Sequence, residues 1–214
     1  MQRPQGPCAG GGHQARFSNY PAVVSGQLAL FSVEDDAPAI ADVEGLLLGG
    51  GALVRRAEAV RISVVVDCGW RAEALRVALG NRGLGGELGT PVDGRRSVRS
   101  AFHPRLLDVA RRWTAGARIR VPDGFRLSPA RLRLWAVAAG YADHAGYQLR
   151  LGATDEHLWE AAGAALAAAG VPGAFFAARA GGPAYRIVGA RRLARLRELV
   201  GRPPEDGDDG GWPT

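Results

Sequence analysis

The strongest constraint on this chain is that it spells one order of elements twice. From Ile40, "IADVEGLLLGGGALVRR" is apolar at helical spacing, and "AVRISVVVD" (59–67) is a β-branched run ending at a turn, hence a strand. "WRAEALRVALGNRG" then reads as an amphipathic helix with a stop at Gly83, "GGELGTPVDGRRSVRSAF" as a hairpin turning at Asp93-Gly94, and "HPRLLDVARRW" as a closing helix. After "TAGARIRVPDGFRL" the order returns. "ARLRLWAVAAGYAD" is an apolar helix with Ser128 as its N-cap and Pro129 as its first residue, and "GYQLRLG" is a strand. "TDEHLWEAAGAALAAAG" is an amphipathic helix capped by Thr154, "GAFFAARAGGPAYRIVG" a hairpin, and "ARRLARLRELVG" the closing helix. Helices mixed with antiparallel strands in two like halves predict an α+β domain with pseudo-twofold symmetry. The expected divisions are a first repeat over 39–113, a linker over 114–127 and a second repeat over 128–201.

Both flanks are expected to be disordered. Residues 1–38 are rich in Gly, Pro and Gln and hold too little apolar surface to offset their ordering entropy, and residues 202–214 form an acidic tail in which Trp212 alone has reason to pack back.

The starts of the two repeats can be laid over each other. "VEGLLLGGG" (43–51) and "AAGYADHAG" (138–146) share Gly at their third and ninth letters, and both resemble the nine-letter LAGLIDADG signature of the homing-endonuclease family. The resemblance covers roughly residues 39 to 200. It implies two αββαββα units forming a saddle whose antiparallel sheets sit on DNA, with the motif helices packed side by side through small residues such as Gly45, Gly49, Ala138, Gly140 and Ala142. It also implies an acid at the eighth letter of each motif, where a carboxylate holds Mg²⁺ near a scissile phosphate. Those letters are Gly50 and Ala145, which cannot hold a cation. A slipped alignment that makes Asp143 the acid loses both glycines of the second motif and leaves the first repeat without one. No catalytic residue, metal or cofactor is therefore expected.

Strand alternation selects the residues that would face DNA. In "VRISVVV" the polar face is Arg61 and Ser63, with Val60, Ile62, Val64 and Val66 inward; in "GYQLRLG" it is Gln148 and Arg150, with Tyr147, Leu149 and Leu151 inward. The hairpins add Arg99 and Arg186, which align when "VRSAFHPRLLDVARRW" is laid over "YRIVGARRLARLRELV". The charge agrees with this choice. The formal net charge is +6 and every basic residue is Arg, whose forked guanidinium suits phosphate.

Other classes find little support. The N-terminus lacks the apolar core of a signal peptide, and no apolar run approaches the roughly 20 residues that span a bilayer, so a cytoplasmic, nucleoid-associated monomer without membrane contact is expected. Cys8 and Cys68 make neither a disulfide framework nor a metal site, His157 with Glu160 is one helix-face pair short of a metal site, and His103 and His144 lack acidic partners at a motif spacing. "GGG" and "GLGG" lack the Lys-Ser/Thr of a phosphate loop.

One feature of the N-terminal tail stands apart. "QLALF" (27–31) resembles the pentapeptide by which bacterial polymerases and repair proteins bind the DNA sliding clamp, with Leu28, Leu30 and Phe31 as apolar anchors and Gln27 as a directional amide. The combined expectation is a non-catalytic DNA-binding accessory or regulatory protein of replication or repair, brought to the sliding clamp by its tail. An active endonuclease and a protein-interaction module on the same fold are the alternatives.

Overall fold

A computed structural model describes residues 37–116, 118–177, 182–205, 207 and 210–213. Gln27, Leu28, Leu30 and Phe31 lie outside the described residues, as does the expected disorder of residues 1–36. In the first repeat a 3₁₀ turn (Ile40–Val43) runs into α1 (Glu44–Leu48), followed by β1 (Ala52–Arg56), β2 (Ala59–Val66) and α2 (Gly69–Asn81). The strands β3 (Glu87–Leu88) and β4 (Arg96–Arg99) follow, then α3 (Leu107–Trp113). The second repeat is α4 (Pro129–Ala139), β7 (Gly140–Asp143), β8 (Gly146–Arg150), α5 (Glu156–Ala168), β9 (Ala174–Phe176), β10 (Ala184–Ile187) and α6 (Ala190–Val200). Between the repeats, residues 114–127 carry a small hairpin of β5 (Thr114–Ala115) and β6 (Arg118–Ile119). Each repeat is thus αββαββα, and its antiparallel sheet has the order β1-β2-β4-β3 or β7-β8-β10-β9.

The first helix of each repeat is shorter than its apolar run predicts. In the first, Gly49-Gly50-Gly51 ends α1: Gly50 has φ +85° and the Gly51 N–H returns to Leu46 O at 2.8 Å, after which "ALVRR" is a separate edge strand. In the second, α4 stops at Ala139, and Gly140 is both its C-cap and the first residue of β7. A Cβ at Gly140 would lie 1.9 Å from Tyr147 Oη, so only glycine lets the chain turn there. Thr154 is not the cap of α5. Asp155 holds that position without a side-chain hydrogen bond, its carbonyl accepting from Leu158 N at 2.8 Å. Two other local expectations hold: Ser128 Oγ accepts from Arg131 N at 3.3 Å, and Val92 and Arg95 exchange both backbone bonds around Asp93-Gly94, whose φ values are +49° and +74°.

One core serves both repeats. Leu46, Leu47 and Leu48 of α1, Leu132 and Trp135 of α4, Ile62 of β2 and Leu149 of β8 are all buried in it. Its centre is the crossing of α1 and α4, where a Cβ at Gly45 would stand 1.9 Å from Arg131 O, and one at Gly49 would touch the Trp135 and Ala139 side chains at 3.1 and 3.2 Å. The letter-by-letter overlay of the motifs does not survive this geometry. Gly45 is at the crossing, whereas Gly140 ends α4 and Gly146 opens β8. The acidic tail also departs from expectation, since residues 210–213 pack on the body. Trp212 is 3 % exposed, its Nε1 donates to Gly201 O at 2.9 Å, and Ala142 N donates to Gly210 O at 3.1 Å.

Because the atoms facing Gly45 are backbone and cannot swing aside, Gly45→Ala is expected to cost about 2 to 3 kcal/mol in denaturant unfolding. Gly80→Ala is the control: the site is helical with nothing within 4 Å, and the change should stabilise by about 0.5 to 1 kcal/mol.

Candidate nucleic-acid interface

Packing of the helices on one side of each sheet decides which residues reach the other. In β2, Val60, Ile62, Val64 and Val66 are buried, while Arg61 and Ser63 are half-buried on the outer face and Val65 is exposed there. In β8, Tyr147 and Leu149 are buried and Gln148 and Arg150 are half-buried outside. Arg99 pairs with Ser63 across β4 and β2, and Arg186 with Gln148 across β10 and β8, so all six residues chosen from the sequence stand on the outer faces. Arg99 faces Ser63, four residues past the start of β2, whereas Arg186 faces Gln148, two residues past the start of β8, so the two stand at different distances from the hairpin turns.

Three of these arginines are stacked on rings that the sequence reading did not single out. Arg61 lies over Phe102 with its Cζ 4.4 Å from the ring centroid, Arg186 over Phe176 at 4.6 Å, and Arg150 over Tyr141 at 5.3 Å. Stacking holds a guanidinium flat and leaves its edge donors available. Carboxylates restrain the same groups: Glu87 is 3.6 Å from Arg61, and Asp67, just after β2, is 3.7 Å from Arg150. The second of these pairs joins an outer residue of one sheet to the other, so the two outer faces adjoin. Exposed Val54, which pairs with Arg61, adds apolar surface among the charges. The Nε atoms of Arg61, Arg99 and Arg186 are buried without a hydrogen-bond partner among the described residues, a cost of about 1 kcal/mol or more each.

Asp143 organises the second sheet. It accepts from Ala145 N at 2.8 Å, from Gln148 Nε2, and from Arg186 Nη2 at 2.8 Å. Burial pushes its carboxyl pKa up, but the Ala145 N–H, Gln148 and the Arg186 charge together hold it below the usual carboxylate value.

The ends of the central helices are where the resemblance places metal-binding acids. Gly50 does follow α1. Ala145 does not follow α4: it lies in the β7–β8 turn, and the residues at the end of α4 are Gly140 and Tyr141. Into that end reaches Arg71 from α2, 4 % exposed, donating to Ala136 O at 3.0 Å, to Val137 O at 2.6 Å and to Gly140 O. A guanidinium suits the carbonyl end of a helix, where the backbone dipoles are negative. Asp67 stands beside it, flanked by Arg71 at 3.6 Å and Arg150 at 3.7 Å. The residues therefore do not fit Mg²⁺: the two helix ends supply no carboxylate, and a cation already fills the carbonyl cluster of α4. Among the described residues, no group of three or more His, Cys, Asp or Glu is placed to hold a metal ion.

Sequence alternation reached the six polar residues but missed Arg71, Asp67 and the three rings. Tyr141 was concealed by reading β7 as helix, and Arg71 lies in an ordinary amphipathic helix that carries no sign of its distant partner.

No protein-family profile and no curated sequence relative matches the chain. Solved structures do. The homing endonuclease I-WcaI bound to its DNA recognition sequence matches with a TM-score of 0.55 at 10% identity, over 74% of this chain and 78% of that one. The N-terminal LAGLIDADG domain of DUF199/WhiA matches with a TM-score of 0.53 at 11% identity, over 76% of this chain and 80% of that one. At such identities the likeness is one of fold, and the fold is LAGLIDADG-like.

Because the Asp143 pKa is lowered on folding, its stabilisation is present above the unfolded value of about 3.9 and lost as pH falls through the folded value. Urea unfolding should find wild type more stable than Asp143→Asn from neutral pH down to about pH 5, with the difference shrinking below about pH 4. A difference independent of pH would assign the effect to packing.

Proposed function

We propose that this chain is a DNA-binding protein that does not cut DNA and that acts as an accessory or regulator in replication or repair. The observation that carries the reading is the set of ring-stacked arginines spread over two adjoining sheet faces. Guanidiniums held flat are preorganised for phosphate oxygens or guanine edges, and their ordering entropy is spent on folding rather than on binding. A fold neighbour is described as bound to its DNA recognition sequence, which supports DNA as the partner.

Absence of cleavage follows from chemistry. An in-line displacement at phosphate needs its attacking and leaving oxygens stabilised, and Gly50, Gly140 and Tyr141 offer no carboxylate for a metal that would do this. Recruitment to the sliding clamp through Gln27, Leu28, Leu30 and Phe31 completes the proposal. A tethered peptide raises its own effective concentration at a clamp on the same duplex.

Arg61→Ala with Arg150→Ala should weaken duplex binding and lower the log-log salt slope by about two, one for each lost phosphate contact, with thermal stability little changed. Unchanged affinity in the folded double variant would show that the outer faces are not the contact surface. Purified protein should leave duplex DNA intact in Mg²⁺ or Mn²⁺. A synthetic 25–36 peptide should bind purified clamp, and the same peptide with Leu30→Ala and Phe31→Ala should bind at least about 30-fold more weakly, as loss of hot-spot anchors implies.

A further inference from the structure

The closing helices of the two repeats treat their arginines differently. In α3, Arg111 is 3.0 Å from Asp108, and Arg112 is paired with buried Glu44. In α6, Leu196, Leu199 and Val200 are buried in the core, while Arg191, Arg192 and Arg195 are exposed on the opposite side. Arg195 pairs with Glu198 at 3.0 Å, but no ion pair is made by Arg191 or Arg192 among the described residues. Their placement works against the helix. Both lie in its first turn, at the positive end of the dipole, with no acid in that turn and no side-chain cap from Gly189. Both also face Arg195 at like-charge spacings of one helical turn. By contrast α5 and α3 carry Glu156 and Asp108 in their first turns.

Folding alone has no use for such a local conflict, and a polyanion would relieve it. The three arginines line an open cleft of about 960 Å³ whose other wall includes Gly170, Pro172 and Val188. Because α6 packs on α4 and its Leu196, Leu199 and Val200 join the core that Tyr147, Leu149 and Ile187 line from the sheet's inner side, its solvent face points away from the outer face that carries Gln148, Arg150 and Arg186. One straight duplex cannot lie on both.

We infer that the α6 face is a second nucleic-acid contact, through which the chain holds two duplex segments at once. The inference rests on the outer faces being the first contact. Charge complementarity favours nucleic acid over an acidic protein because the first contact is already of that class.

The test uses full-length protein to capture a labelled duplex on beads carrying an unlabelled one, alongside anisotropy on a single duplex. Wild type should capture the second duplex. Arg191→Gln with Arg192→Gln should lose most of that capture and lower the salt slope of the capture step by about two, while single-duplex affinity stays within about twofold. The variant should melt no lower than wild type, since the substitutions remove repulsion. Equal capture by variant and wild type, or single-duplex binding by wild type with no capture of a second, would overturn this inference and leave the proposed function standing. Failure of wild type to bind any duplex would overturn both. Release of the second duplex by polyglutamate at lower charge concentration than by competitor DNA would reassign the α6 face to an acidic protein.

Discussion

The backbones of α1 and α4 meet with no room for a side chain at Gly45, and the rest of the protein is arranged around that contact. Close approach brings the end of α1 against the segment that follows β8, Leu48 O accepting from Gly152 N at 3.3 Å and Gly50 lying against Gly152. Each helix then delivers its chain directly into the first strand of a sheet, so the spacing and relative placement of the two sheets follow from the crossing. A larger residue at Gly45 or Gly49 would move a whole repeat, because packed interiors transmit displacement rather than absorb it.

Buried charges specify which helix meets which. Glu44 of α1, 1 % exposed, is held by Arg112 of α3 and, at 2.9 Å, by Arg131 of α4. Arg82, the C-cap of α2, pairs with Asp42 at 2.8 Å, and Arg71 spans from α2 to the carbonyl end of α4. The desolvation of such groups offsets much of their attraction, so their main effect is on uniqueness: any other docking of the repeats would strand a charge in a core of Leu, Val and Trp. Arg71 carries a further consequence. It places a fixed cation among the carbonyl groups that end α4, so one side chain both ties α2 to α4 and offsets the negative end of that helix's dipole.

On the outer faces the balance differs. Arginines are half-buried, stacked on Phe102, Tyr141 and Phe176, and restrained by Glu87, Asp67 and Asp143 at distances from 2.8 to 3.7 Å. Screened pairs of this kind add little stability. They limit the conformations of long side chains.

Much of the fold and part of the site were legible in the residues themselves. Alternation placed Arg61, Ser63, Gln148 and Arg150 on the outer faces because a β-branched strand with one buried side has only one register to choose. Ser128 as a cap and Asp93-Gly94 as a turn were readable for the same reason: each is decided by atoms within a few residues. The ends of α1 and α4 were misread because an apolar run is compatible with a helix or a buried strand, and only the crossing at Gly45 and Gly49 and the contact of Gly140 with Tyr147 settle where helix stops. The overlay that assigned Ala145 to the end of a motif helix failed because nine letters in a Gly- and Ala-rich chain align in more than one frame. Sequence alone determined the repeat, the strand faces and the arginine excess, all local or compositional properties. Only the tertiary structure decided that Arg71 closes α4, that rings lie beneath the outer arginines and that Glu44 is buried between Arg112 and Arg131, since each depends on residues far apart in the chain being brought within a few ångströms.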